Sequence, residues 1–162
     1  MNKVLIITIS VLIIVTTGYT IIDQKNKEQE KKEIQIMECS KIDETEDITI
    51  KLFSEIKYLG DYVKVVKTTE EILTEDQETL DFYKKVVENT YKPYDGLEHY
   101  NYEVKQDEKS LVSTTTLDYE NIDIDKLIEI DEANKKLIVN KKVKLEDFIQ
   151  MYKAMNVTCK KK

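Results

Sequence analysis

From Ile34 onward the chain alternates with a period of two. Ile34, Ile36 and Glu38 point one way and Gln35, Met37 and Cys39 the other, which predicts a first strand. Lys41 to Asp47 (KIDETED) reads as a polar turn. Ile48, Ile50, Leu52, Ser54, Ile56 and Tyr58 then share a face, opposite Thr49, Lys51, Glu55 and Lys57, as in a half-buried strand. Leu59-Gly60-Asp61 is a tight-turn sequence, and Tyr62 to Thr69, extendable to Leu73, is the return strand of a hairpin.

At Thr74 the period changes. Thr74-Glu75-Asp76-Gln77 matches a capping box with Thr74 as N-cap, and Leu80, Tyr83, Val86, Val87 and Tyr91 follow at helical spacing. Pro93 stops this helix and Asp95-Gly96 turns the chain. Period two returns in Leu97 to Lys105 and in Leu111 to Tyr119, joined by a turn at Gln106 to Lys109. Thr114, Thr115 and Thr116 are β-branched and favour the strand. Asp123 caps a short helix reaching Ile130, and Leu137 to Val139 suits an edge strand. Leu145, Phe148, Ile149, Tyr152 and Met155 form the clearest helical stripe in the chain. The order βββ-α-ββ-α-α, with short connections that imply antiparallel neighbours, predicts an α+β domain. An antiparallel sheet of about five strands packs against a long helix and a C-terminal helix.

The N-terminus obeys another rule. Val4 to Ile22 is 19 residues without a charge. As a helix it would span about 28 Å, close to a bilayer's hydrocarbon core. Two readings stand: an uncleaved anchor, or a signal cleaved after Thr16-Thr17-Gly18. The length of the apolar run favours the anchor. Lys25, Lys27, Lys31 and Lys32 outnumber Lys3, which by positive charge alone would put the following chain in the cytoplasm. The export-like N-tail and the two cysteines favour the outer face instead. Residues 1–22 are thus expected as membrane anchor or signal, 23–33 (DQKNKEQEKKE) as charged linker, and 34–162 as the extracytoplasmic domain. If residues 1–22 are removed, the domain is secreted.

Composition narrows the chemistry. The chain has 25 Lys+Arg, all of them Lys, against 32 Asp+Glu, for a net charge of −7. Without arginine forks or cationic density it is not expected to bind nucleic acid. Three Gly exclude the P-loop and the dinucleotide fingerprint. One His and two Cys are too few for a structural zinc site made of those residues. No cofactor or metal is expected. The acidic runs at Asp43-Glu44, Glu46-Asp47, Asp123 with Asp125, and Asp131-Glu132 lack calcium-loop spacing and suit solvated turns.

Cys39 and Cys159 lie at opposite ends of the domain, each beside a structured element, and suit a disulfide staple in an exported protein. His99 shares a strand face with Asn101 and Glu103 and reads as a surface residue without a nucleophile nearby. Tyr91, Tyr94, Tyr100 and Tyr102 combine apolar area with a polar tip. They are candidate ligand-cleft aromatics, for a sugar or a peptide, unless they serve only packing. Asn156-Val157-Thr158 has the form of a glycosylation sequon.

Four blocks carry a resemblance. The first is Tyr94-Asp95-Gly96-Leu97-Glu98-His99-Tyr100-Asn101-Tyr102-Glu103-Val104, followed by Leu111-Val112-Ser113-Thr114-Thr115-Thr116-Leu117-Asp118-Tyr119. Then come Asp123-Ile124-Asp125-Lys126-Leu127 and the closing Asn156-Val157-Thr158-Cys159-Lys160. In order and spacing these resemble the small bacterial lipoproteins of the YehR type, from about Ile34 to Lys160. The resemblance implies an exported α+β domain at the outer face of a membrane, with no function assigned and no catalytic residues to carry over. Two departures stand out. Tyr19 occupies the place of the lipid-bearing Cys, and Asn156 replaces the Gly expected beyond the last helix.

The expected function is that of a membrane-tethered, extracytoplasmic, non-catalytic envelope or interaction protein, held by Val4–Ile22, with its partner unnamed. The alternative is a carrier or sensor of an apolar or amphiphilic ligand, enclosed between a curved sheet and a helix. A cavity between sheet and helix separates the two.

Overall fold

The computed structural model describes residues 33–162. The apolar segment Val4–Ile22 lies outside them. The strands are β1 (Gln35–Glu44), β2 (Thr49–Leu59), β3 (Tyr62–Leu73), β4 (Tyr100–Gln106), β5 (Ser110–Asp118), β6 (Ile138–Val139), β7 (Lys142–Val143) and β8 (Thr158–Lys161). The helices are α1 (Gln77–Tyr91), α2 (Ile124–Ile130) and α3 (Leu145–Ala154). A 3-10 turn at Lys92–Tyr94 prolongs α1, and another at Glu132–Lys136 follows α2. Six strands form one sheet in the order β4-β5-β3-β2-β1-β8, and β6-β7 is a separate small hairpin. Every strand pair is antiparallel. The α+β class and the sheet-with-helices arrangement read from the sequence hold.

Four local readings change. β1 does not turn at Lys41 but runs to Glu44, because Lys41 and Asp43 pair with Leu52 and Ile50 across the ladder. The turn sits at Thr45, whose amide donates to the Ile48 carbonyl at 2.9 Å. The N-cap of α1 is Asp76, whose side chain accepts from the Glu78 amide at 3.2 Å. Thr74 braces that cap by accepting from the Asp76 amide at 3.2 Å. The segment around Leu137 to Val139 is no edge of the main sheet, since its strand partner is β7. The sixth strand, β8, falls in the lysine-rich tail, a composition that suits an exposed edge.

The alternation of β2 is as expected: Ile50, Ser54, Ile56 and Tyr58 are buried, while Phe53 on the other face is 45% exposed. Between β2 and β3 the register slips at Lys57/Tyr58, leaving Lys64 unmatched. This bulge turns both Val63 and Val66 inward. The Lys64 carbonyl, freed from the β2 ladder, accepts from the Tyr119 amide at 2.8 Å.

The inner face of the sheet carries two apolar clusters. One gathers Ile56, Val66, Leu127, Val143, Phe148 and Tyr152 beneath α2, α3 and the hairpin. The other gathers Ile50, Ile72, Leu80, Val87, Tyr91 and Leu111 beneath α1. Helix α3 buries Phe148 and Tyr152, and Leu145, Ile149 and Met155 pack at its margins as the stripe requires. Asn156 closes α3 at φ 59, so Asn serves where Gly was expected.

Candidate functional site

The registers place one row of inward side chains straight across the sheet: Tyr102, Thr115, Thr68, Ser54, Cys39, Cys159. The next row is Val104, Ser113, Glu70, Leu52, Lys41. Polar residues thus run through the middle of a face that is apolar at both ends. Helix α1 covers one end and α3 the other. The space left between them is a cavity of about 190 Å³.

Its floor comes from Ile50, Leu52, Val66, Thr68, Glu70, Thr115 and Leu117. Tyr91 and Tyr94 close it from the end of α1 and its 3-10 turn, Tyr100 from β4, Phe148, Met151 and Tyr152 from α3, and Met155 from the cap of that helix. Tyr119, Leu127, Asn134 and Val157 complete the lining, with Lys41 and Asp43 on β1. An apolar cavity of ~150 Å³ is enough to hold benzene. This one has room for a ring or short chain bearing a small polar group.

Polar groups inside the lining are mostly spoken for. The Ser54 hydroxyl lies 2.7 Å from the Tyr152 hydroxyl and also pairs with Thr68 Oγ1. Asn134 Nδ2 donates to the Leu127 carbonyl at 3.3 Å. Lys41 Nζ is tied to Asp43 Oδ2 at 2.6 Å. Glu70 differs: among the described residues its carboxylate has no hydrogen bond or ion pair. Burial pushes its pKa above the ordinary carboxylate value.

The tyrosines shift the same way. Burial, reinforced by Asp131, pushes Tyr94 up to about 12. Burial, reinforced by neighbouring charges and phenols, also raises Tyr91, Tyr100 and Tyr119. All remain neutral phenols at physiological pH and offer ring faces and hydroxyl dipoles.

Of the four tyrosines singled out in the sequence, Tyr91, Tyr94 and Tyr100 reach the cavity. Tyr94 and Tyr100 stack with centroids 4.8 Å apart. Tyr102 lies behind them against Tyr91, at 5.7 Å. Tyr119 and Tyr152 were missed, as were Glu70 and the methionines of α3. Glu70 had left a signal: it sits in phase with Val66, Thr68 and Ile72, so alternation already placed a charge on the inner face.

Cys39 and Cys159 are joined by a disulfide across directly paired positions of β1 and β8. His99 is not on the strand. It precedes β4 at φ 67, exposed, its carbonyl accepting from the Asp118 amide at 3.1 Å. Among the described residues no cluster of His, Cys, Asp or Glu could hold a metal ion. No described helix is long and apolar enough to cross a membrane.

No protein-family model and no curated protein matches the chain. Two solved structures are similar to it. A Streptococcus pneumoniae TIGR4 protein solved by NMR is 13% identical, over 93% of this chain and 98% of that one, with a TM-score of 0.47. The Escherichia coli YehR protein, also solved by NMR, is 14% identical, over 82% of this chain and 93% of that one, with a TM-score of 0.49. The sequence reading named the YehR type, and a YehR protein is one of the two structures similar to this chain at low identity.

Proposed function

We propose that this chain is a membrane-tethered, extracytoplasmic binding domain: a non-catalytic carrier or sensor that receives a small apolar or amphiphilic ligand between its sheet and helices. The observation that carries this is the cavity of about 190 Å³ on the inner sheet face. A domain serving only as a structural or interaction module has no need to hold α1 and α3 apart over a half-polar floor. Filling such a void would stabilise the fold. The tether rests on the uncharged run Val4–Ile22, and the outer face on the disulfide, which persists in oxidising compartments. The lining residues support binding rather than catalysis, since no nucleophile there sits beside a base and the phenols are held neutral.

Titration of the full chain, in lipid nanodiscs, with a neutral aromatic probe such as benzyl alcohol tests the reading. Amide shifts should centre on Leu52, Thr68, Tyr91 and Tyr100. They should vanish in Leu52→Trp, which fills the floor. Binding elsewhere, or none, would refute the carrier.

A further inference from the structure

We propose that the cavity selects a small organic cation: a ligand with an apolar body and an ammonium group that pairs with Glu70. The inference rests on the binding reading above and adds the chemistry of the ligand.

Glu70 stands at the centre of the floor, flanked on its row by Ser113 and Leu52. It carries no hydrogen bond or ion pair among the described residues. The nearest lysine on its row, Lys41, lies two strands away, about 10 Å at ordinary strand spacing. Lys41 is already neutralised by Asp43 at 2.6 Å. The lining charges therefore sum to one uncompensated carboxylate.

Two titratable groups of α1, Tyr83 and Tyr91, feel the Glu70 charge directly. Tyr100 from β4 and Tyr152 from α3 line the same cavity, and all four are pushed toward the neutral phenol. None can neutralise a carboxylate. Their ring faces are negative and attract a cation placed over them. A carboxylate among aromatic rings is complementary to an ammonium with an apolar body, and repels an anion. Burial alone raises the Glu70 pKa, which fits a site whose counter-charge arrives with the ligand.

The test uses three isosteres of one shape: benzylammonium, benzyl alcohol and benzoate. Each is titrated into the full chain in lipid nanodiscs at pH 7, followed by NMR, with empty nanodiscs as reference. Benzylammonium should bind about tenfold more tightly than benzyl alcohol, as a charge-assisted pair requires, with benzoate weakest. In Glu70→Gln, which keeps the shape, that preference should collapse while benzyl alcohol binds as before. Lowering the pH until Glu70 protonates should weaken benzylammonium alone. The wild-type comparison decides even without the variant. Equal binding of ammonium and alcohol would overturn the cation assignment and leave the carrier standing. Preference for benzoate would overturn it too. Failure of all three probes would overturn both.

Discussion

The Tyr152 hydroxyl meets the Ser54 hydroxyl at 2.7 Å, fully inside the molecule, and so ties α3 to the centre of β2 across the sheet face. Ser54 is at the same time paired with Thr68 on β3. One phenol thus docks a helix onto two strands at the point where the apolar floor is interrupted. Tyr152→Phe keeps the ring and removes the bond, while Ser54 retains Thr68. The expected loss is about 0.5–1.5 kcal/mol. Ser54→Ala should cost the same bond plus the Thr68 contact. Urea melts of both variants check this; a neutral Tyr152→Phe would mean that the hydroxyl pair contributes nothing net.

Phe148 and Lys153 belong to one helix and should behave oppositely. Phe148 is 4% exposed and packs edge-on against Tyr119 and Tyr152. Truncation to Ala should cost about 3 kcal/mol, the low end for a buried ring, because part of the ring already faces the cavity. Lys153→Ala lies outside the stripe and should stay within about 0.5 kcal/mol. Equal effects would contradict the docking of α3.

The disulfide closes a separation of 120 residues between the first and last strands. The chain-entropy model assigns a loop of that length roughly 4–5 kcal/mol. Locally, β8 is a four-residue edge strand paired only with β1. Reduction should lower the melting temperature and release the β8 amides to hydrogen exchange before those of β2 or β3. Unchanged protection in β8 after reduction would show that the ladder alone holds it.

The parts of this fold that were legible are those in which a side chain's type and its face agree. β2 alternates cleanly from Ser54 to Tyr58, and α3 places Phe148 and Tyr152 where its stripe demands. What misled were residues whose local preference lost to a distant partner. Lys41 and Asp43 look like a turn, yet they pair with β2 and with each other. Lys160 and Lys161 look like a tail, yet β1 recruits them as a strand. The cavity was half legible. Tyr91, Tyr94 and Tyr100 were visible as a cluster, whereas Tyr119, Phe148 and Met151 reach the same space from elements whose packing no local period encodes.

The cap of α1 separates two readings of one motif. Asp76 accepts from the Glu78 amide, whereas Thr74 accepts from the Asp76 amide. Asp76→Ala should therefore destabilise the start of α1. Thr74→Ala should cost less, since it removes a brace and leaves the helix amide satisfied. The Asp76 pKa is lowered, chiefly by the bond from Thr79. Its contribution should be present above the unfolded carboxylate pKa and fade as pH falls through the lowered value. A larger loss from Thr74→Ala would restore the capping box read from sequence.

Glu70 predicts the opposite pH dependence. Its folded pKa is raised above the ordinary value of 4.5 by burial. The fold therefore prefers the protonated carboxyl, and that preference is fully expressed below the unfolded pKa. As pH rises through the raised value, the ligand-free protein must either hold an unpaired, partly desolvated charge or lose stability. Glu70→Gln, which cannot ionise, escapes this. Without ligand, the variant should gain stability over the wild type as pH rises from about 4 to neutrality. A cationic ligand should narrow that gap at neutral pH, because it binds the wild type more tightly than the variant, and folding is stabilised by whatever binds the native state. Urea melts of both proteins at both pH values, with and without benzylammonium, measure these gaps. A wild-type-to-variant difference that does not change with pH would show that the carboxylate is solvated after all. A pH-dependent difference untouched by benzylammonium would leave Glu70 a desolvated charge without a ligand to match it.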